Sequence, residues 1–406
     1  MSVDAPPTSR SGTAWRVSLV VLVTAVVGAG QVWYGIRHWF YDLRIYHDAM
    51  RWWAGGQPLY EFVKPDDTQG QLGFTYPPFA ALLLRPLALL TRGEAIWAAV
   101  VVMVAALAIS IWWLVRPLAG RWAEPRWFVF TLAFVLATAL EPVRETFSFG
   151  QINFVLVALV LFDLLVLAPS GSRWTGVGIG LATAIKLVPG VFIVYLLVSR
   201  RWRAAAVATG VAVAATLLAA AVAPRDSWTF WTEKLLHAEG VGNLDYTFNQ
   251  SLMGVLARLS GSGEPSQLGW LALTLPVVAY GLWRAGRAAT AGDEVTGLTL
   301  AGFAGSLASP VSWHHHLFWF VPAILVLVDA AIRPADVTSG LRRRPSTLAW
   351  AVGAYATVTF SVIALYEFNL GRPGGPVGFL LSNWFVLLML ALLPLLPIRR
   401  LSTVPS

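Results

Sequence analysis

Long apolar runs recur through this chain almost from end to end, and they constrain it more than any other feature. A run of about 20 apolar residues can close its own backbone hydrogen bonds as a helix and cross a hydrocarbon layer of about 30 Å. Only 12% of the 406 residues are charged and 57% are hydrophobic, against about 25% charged in a soluble domain. Such a chain cannot cover its surface for water, so it reads as an all-α polytopic membrane protein. The same numbers exclude disorder, coiled coil and collagen. The sequence has no Cys, which removes disulfides, Cys-ligated zinc, iron–sulfur clusters and thiol catalysis. The formal net charge of +8 suits cytoplasmic loops rich in Arg and Lys and calls for no nucleic-acid partner.

Apolar segments near 14–34, 94–115, 127–140, 151–168, 174–187, 188–199, 203–223, 267–284, 294–308, 315–331, 346–367 and 377–397 predict twelve spans. The first follows Arg10 and Arg16 without a convincing small-residue cleavage site, so it is read as a span and not as a signal peptide. Several are short. As a helix, 174–187 would rise only about 21 Å, and short helices are tolerated where they line a protein cavity. With both termini inside a plasma membrane, three basic groups face the cytoplasm: Arg116, Arg121 and Arg126; Arg200, Arg201 and Arg203; and Arg342, Arg343 and Arg344. A rival topology makes 77–90 a span and merges 174–199, but it puts the first group outside, against the positive-inside rule. In the preferred reading, 77–90 is an external juxtamembrane or re-entrant helix started by Pro77 and Pro78. The chain is then one integral-membrane domain over 1–406, with a first external loop at 35–93.

Polar and ionisable residues at membrane level are costly to hold and are functional candidates for that reason. Here they gather on the external side. They are Asp42 and Tyr46, Tyr76, Arg144, Gln151 and Asn153, Lys186, Asn249 and Gln250, and the run His314, His315 and His316. Each has a plainer reading. Asp42 could be a solvated charge beside Arg44, and Lys186 could reach the headgroups. Arg144 could pair with Glu145, and Asn153 and Asn249 could be caps or turn residues. Three consecutive His on a helix point about 100° apart, so the run is a weak zinc site, and no HExxH supports one. No Walker A, dinucleotide fingerprint or GxSxG is present.

Six segments carry a resemblance: DLRIYHDAMRWWAGGQPLY (42–60), FTYPPFAALLLRPLALL (74–90), EPVRETFSFGQINFVLVALVLFD (141–163), GLATAIKLVPGVFIVYLL (180–197), FNQSLMGVLAR (248–258) and SPVSWHHHLFW (309–319). Together, in this order, they are similar to the integral-membrane α-mannosyltransferases of glycosyltransferase family 87, in the GT-C class. The resemblance spans roughly 35–330; the last two spans match by pattern only. It implies a GT-C fold of about twelve transmembrane helices with external juxtamembrane helices, a polyprenyl-phosphate-mannose donor, and a glycolipid acceptor of the phosphatidylinositol mannoside or lipomannan type. It also implies an active site on the external face. It places the general base on Asp42, with Tyr46 beside it, and a functional His pair best on His315 and His316. His314 is an additional imidazole, which leaves the acting one open.

These residues suit an inverting transfer that needs one carboxylate, because phosphate is already a good leaving group. His315, His316, His314, Lys186 and Arg144 are the expected donors to phosphate or sugar. Tyr46, Tyr76, Gln151, Asn153, Asn249 and Gln250 are the expected pocket residues, since neutral donors and acceptors suit sugar hydroxyls. No metal, no cofactor and a monomer among membrane lipids are expected. Transfer of another polyprenyl-linked sugar, such as arabinofuranose or glucose, would need the same chemistry. A lipid-linked sugar flippase would need polar residues through both leaflets and often an internal repeat; here they sit near one face.

Overall fold

The computed structural model describes residues 10–66, 70–235, 242–261, 265–332 and 345–399. Arg342, Arg343 and Arg344 lie outside the described residues. The chain is mostly helical. It opens with α1 (Arg10–Tyr34) and α2 (Tyr41–Ala54), a small antiparallel hairpin of β1 (Val63–Asp66) and β2 (Gly70–Gly73), then α3 (Pro78–Leu84) and α4 (Arg92–Arg121). Next come α5 (Arg126–Ala139), α6 (Glu141–Phe149), α7 (Asn153–Phe162), α8 (Val177–Ile185), α9 (Val191–Val198) and α10 (Trp202–Val222). The remainder is α11 (Pro224–Thr229), α12 (Leu252–Ser260), α13 (Gln267–Thr290), α14 (Glu294–Ala308), α15 (Phe320–Ile332), α16 (Pro345–Thr359), α17 (Val362–Phe368), α18 (Gly375–Ser382) and α19 (Trp384–Leu395).

Five of these helical stretches are long and apolar enough to cross a membrane, or seven if two bent pairs each count as one. Their outward faces carry large apolar side chains such as Val26, Val101, Leu217 and Leu275, which only lipid can cover. Both bends have local causes. The α5–α6 axis turns by 70° at an extended Leu140, and Pro142 then occupies the first turn of α6, where no N–H is needed. The α18–α19 axis turns by the same 70° at Asn383, a break inside the stretch 377–397 that the apolar pattern does not reveal.

Contacts fix the direction of the helices. Arg16 pairs with Glu124 at 2.7 Å, and Gln31 donates to the Thr138 carbonyl at 2.6 Å, so α1 and α5 run parallel. A Cβ on Gly176 would meet the Ala204 carbonyl, and one on Gly180 would meet the Ala208 carbonyl at 2.5 Å. Hence α8 and α10 are also parallel, and α9 must return between them. The stretch 174–199 is therefore two antiparallel helical legs and not one continuous helix. Segment 77–90 does not carry the chain away from α2. Tyr76 at its start bonds Tyr46, and the Leu90 carbonyl at its end meets His47 Nε2 at 3.0 Å.

The molecule thus has two ends. At one, Arg399 pairs with both Asp293 and Asp329, Trp122 donates to Asp329 at 2.8 Å, and Arg201 pairs with Glu294. These groups tie the start of α14 to the ends of α4, α15 and α19. The other end carries α2, the β1–β2 hairpin, α6, α11 and the three histidines. The positive-inside rule predicts a cytoplasmic position for the first end. Position 148 is buried, whereas Gln57 is exposed at the α2 end and Gly120 at the opposite one. Single Cys substitutions therefore test orientation: an impermeant maleimide should label position 57 in intact cells and position 120 only after permeabilisation. The reverse pattern would invert the topology.

Candidate active site

The site begins with a close backbone approach. Gly150 closes α6 in the left-handed region at φ 71°, and a Cβ there would stand 2.7 Å from that of Leu43 on α2. Only glycine satisfies both conditions. On the facing side, Trp39 and Phe40 also take positive φ, 50° and 56°, a strain of order 1–3 kcal/mol each. It is held by hydrogen bonds from His38 N to Ser148 Oγ and from Phe40 N to the Ser148 carbonyl, at 3.0 and 2.8 Å. The start of α2 is thereby pressed onto the α6–α7 turn, and Asp42 in its first turn meets Gln151.

Gln151 Nε2 donates to Asp42 Oδ2. Its own carbonyl oxygen accepts from Tyr76 Oη at 2.7 Å, and the Tyr76 and Tyr46 hydroxyls lie 2.8 Å apart. The half-buried Asp42 is bonded through Gln151, so it is not merely a solvated charge beside Arg44. Burial pushes its carboxyl up to about 6, against the pull of the Gln151 hydrogen bond and of the Lys186 charge.

Lys186 enters from the other side, at the break between α8 and α9. It is extended (φ −149°, ψ 132°), and Pro189 follows in a 3-10 turn at 188–190. Its Nζ lies 3.0 Å from His316 Nε2 and 3.4 Å from Asn153 Oδ1, and 5.1 Å from the centre of the Tyr76 ring. While Lys186 carries its proton it can only donate, and His316 then accepts on Nε2 with its own proton on Nδ1. Lys186 thus turns inward. Beneath the pair lies a small cavity of about 60 Å³, lined by Val188, Pro189, Phe192 and Trp319 among others. A charged mouth over an apolar chamber can seat a group that is polar at one end and hydrocarbon at the other.

The three histidines form a 3-10 turn. Its position is pinned by the His315 carbonyl, which accepts from Thr146 Oγ1 and Asn153 Nδ2, both at 2.9 Å. The His315 ring rests on Phe149, with centroids 4.7 Å apart, and neither of its buried ring nitrogens has a partner. The His314 ring packs on Phe248 at 4.5 Å. Asp42, Tyr46, Tyr76, Gln151, Asn153, Lys186 and His316 are thus joined by direct contacts, with His315 alongside.

Three other candidates make different contacts. Gln250 spends its amide on the Thr247 and Ser382 carbonyls and its oxygen on the Phe385 and Val386 amides. Asn249 clamps Leu244, Pro310 and Ser312. Arg144 stacks 4.0 Å over the Tyr34 ring, donates to the Ala139 carbonyl and pairs with Glu145 at 3.7 Å. These contacts hold the loops and the α5–α6 bend in place. The sequence reading overlooked His38, which stacks on Phe149 at 3.8 Å and pairs with buried Glu145 at 3.2 Å. It also overlooked Asp66, which lies within electrostatic range of Tyr41 and Asp42. Only proximity to Asp42 in sequence could have flagged His38, and nothing could have flagged Asp66. Among the described residues, no three His, Asp or Glu side chains are arranged to hold a metal ion.

A model of glycosyltransferase family 87 matches residues 74–310. Over 337 residues the chain is 34% identical to the polyprenol-phosphate-mannose-dependent alpha-(1-2)-phosphatidylinositol mannoside mannosyltransferase of Mycobacterium tuberculosis, covering 79% of this chain and 78% of the relative. The chain belongs to glycosyltransferase family 87. This family-87 glycosyltransferase is also 31% identical over 382 residues to the corresponding pentamannoside mannosyltransferase of Mycolicibacterium smegmatis, covering 91% of this chain and 88% of the relative. A shorter match, 30% over 220 residues, joins half of it to an alpha-(1->3)-arabinofuranosyltransferase of Corynebacterium glutamicum. No solved structure matches it. Tyr76, Gln151, Asn153 and Lys186 fall inside the matched family region, while Asp42 precedes it and the histidines follow it.

With Asp42 as the proposed base, able to take a proton only when ionised, kcat/KM of this family-87 enzyme should climb through about pH 6. A hydrogen bond to a charged group is worth about 1.5–3 kcal/mol, or about 1–2 pH units. Replacing Gln151 by Leu removes the donor that favours the carboxylate, so the rising limb should move to higher pH by about that much. A limb that stays put in a pH–rate profile would remove Gln151 from the control of Asp42.

Proposed function

We propose that this enzyme transfers mannose from polyprenyl-phosphate-mannose to a phosphatidylinositol mannoside or lipomannan-type glycolipid, forming an α-1,2 bond on the external face of the plasma membrane. The reading rests on a GT-C arrangement of about twelve passes with both termini cytoplasmic. The alternating helix directions and the basic groups near Arg116 and Arg200 support it. The observation that carries the chemistry is the chain of contacts from Asp42 through Gln151 and Tyr76 to Lys186 and His316.

In this mechanism an acceptor hydroxyl approaches Asp42 and attacks the anomeric carbon of a β-linked mannosyl phosphate. The new C–O bond forms as the bond to the phosphate oxygen breaks, and Asp42 takes the hydroxyl proton. Polyprenyl phosphate leaves, and attack from the opposite face inverts β to α. A positioned base contributes about 10²–10⁴-fold. Charge growing on the departing phosphate meets Lys186 Nζ and His316, already fixed in place, which is where electrostatic stabilisation is most effective. The hydroxyls of Tyr46 and Tyr76 and the Asn153 amide are available to sugar hydroxyls. The polyprenyl chain would run from the Lys186 cavity toward lipid past α9 and Trp319.

Arabinofuranose is the second reading, favoured by the partial match to arabinofuranosyltransferases; it would use the same residues with a differently shaped pocket. Glucose would require a similar change. A flippase is disfavoured because the ionisable residues at the site gather at one end.

Purified enzyme given radiolabelled polyprenyl-phosphate-mannose and phosphatidylinositol mannosides should yield an α-1,2-linked product. Turnover should persist in excess chelator, since we propose a metal-independent monomer. Label incorporated only from an arabinofuranosyl donor would replace the donor assignment, and activity lost to chelator and restored by a divalent cation would contradict the metal-free mechanism.

A further inference from the structure

A second concavity opens at the same end of the molecule, outside the Asp42–Lys186 site. It measures about 590 Å³, within the roughly 300–1,000 Å³ typical of small-ligand pockets. Its walls come from two segments far apart in sequence, the 243–259 stretch and the α17–α18 region at 366–383. The lining joins Asp245, Tyr246 and Arg258 to Tyr366, Glu367 and Arg372. Arg258 forms part of the floor, donating to Asn383 Oδ1 and to the Tyr246 and Asn249 carbonyls. Arg372 pairs with Glu367 at 2.6 Å, and Glu367 also accepts from Thr247 Oγ1 at 2.8 Å.

We infer that this groove binds the sugar residues of the acceptor glycan beyond the one that is glycosylated. The inference rests on the transferase reading above. The chemistry of the lining points to a neutral polyol more than to an ion. Carboxylates of Asp245 and Glu367 accept from hydroxyls, guanidinium groups donate to them, and the two signs are balanced. Tyrosine rings on both walls offer apolar faces to the C–H faces of sugar rings while keeping a polar tip in water.

The position agrees. Asp66, at the end of β1, lies within electrostatic range of Tyr41, Asp42 and Tyr246. A line of rings runs from Tyr246 to Phe248 at 5.3 Å and on to His314 at 4.5 Å. A glycan whose end hydroxyl reaches Asp42 can therefore lay its preceding residues along this path into the groove. The groove would then set a preference for acceptors that already carry several sugars.

The test compares two synthetic acceptors, octyl α-mannoside and an octyl α-linked mannotetraoside, with the wild type and with Tyr366→Ala and Arg372→Ala. Tyr366 and Arg372 line the groove and lie outside the contacts that hold Asp42 and Lys186. KM for the tetraoside should rise about tenfold, the scale of one lost contact, while kcat and all parameters for the monosaccharide acceptor stay near wild type. The monosaccharide rate also reports that the variants are folded. Equal losses on both acceptors, or no change on the tetraoside, would overturn the inference. Should the wild type glycosylate neither acceptor, the transferase reading fails on its own. Binding of the free mannotetraose, followed by Trp fluorescence, then judges the groove separately: saturable binding weakened by Tyr366→Ala sustains it, and no binding overturns it.

Discussion

The structure depends on a carboxylate and an ammonium kept facing one site inside an otherwise apolar helical protein. Asp42 and Lys186 are each costly to withdraw from water. Neither sits on a continuous helix through the lipid. Asp42 lies in the first turn of α2, which is packed into place by Gly150 and by the strained Trp39–Phe40 pair. Lys186 lies at a helix break created by its own extended backbone and by the 3-10 turn around Pro189. Gln151 and Tyr76 bridge the two charges with neutral hydrogen-bonding groups. In the proposed mechanism the bridge separates a proton-accepting wall from a phosphate-facing wall, which is the division of labour a displacement at a sugar carbon requires.

The helical scaffold serves that division. Short helices α8 and α9 rise beside α10 only far enough to bring Lys186 into the site. The small residues Gly176 and Gly180 let α8 lie against the α10 backbone at a distance that no side chain would allow. The ion-pair cluster of Arg399, Asp293 and Asp329 ties the helix ends together at the far side. Breaking one member of such a buried group typically costs about 3–5 kcal/mol, so this end acts as a rigid base. The candidate site lies at the opposite end, where helices stop, bend and restart.

Much of this was legible in the sequence. Each apolar segment coincides with a helix or a broken helix, and Pro189 after Lys186 marked the interruption at 174–199. Tyr76, Pro77 and Pro78 marked the start of a helix that begins and ends beside α2. What escaped were features made by contact between distant segments. The hydrogen bond from Gln151 to Asp42 depends on how closely Gly150 approaches Leu43, which no periodicity encodes. Asn249, Gln250 and Arg144 read as external-side pocket candidates, because their backbone partners at 310–312, 382–386 and 139 become visible only in three dimensions. The second groove, built from 243–259 and 366–383, was invisible for the same reason. The histidine run gave the right place but not the roles. Only the fold separates His316, bonded to Lys186, from His315, whose ring nitrogens are unpartnered, and from His314, packed on Phe248.

The most direct test is a single-turnover measurement on Asp42→Asn, paired with the donor dissociation constant of the same protein. The amide keeps the size of the side chain and removes its basicity. The account predicts a transfer rate at least ~10² slower with donor affinity within a few-fold of wild type, because Lys186 and His316 still hold the phosphate. A near-normal transfer rate, or a loss of donor binding that matches the loss of rate, would contradict it.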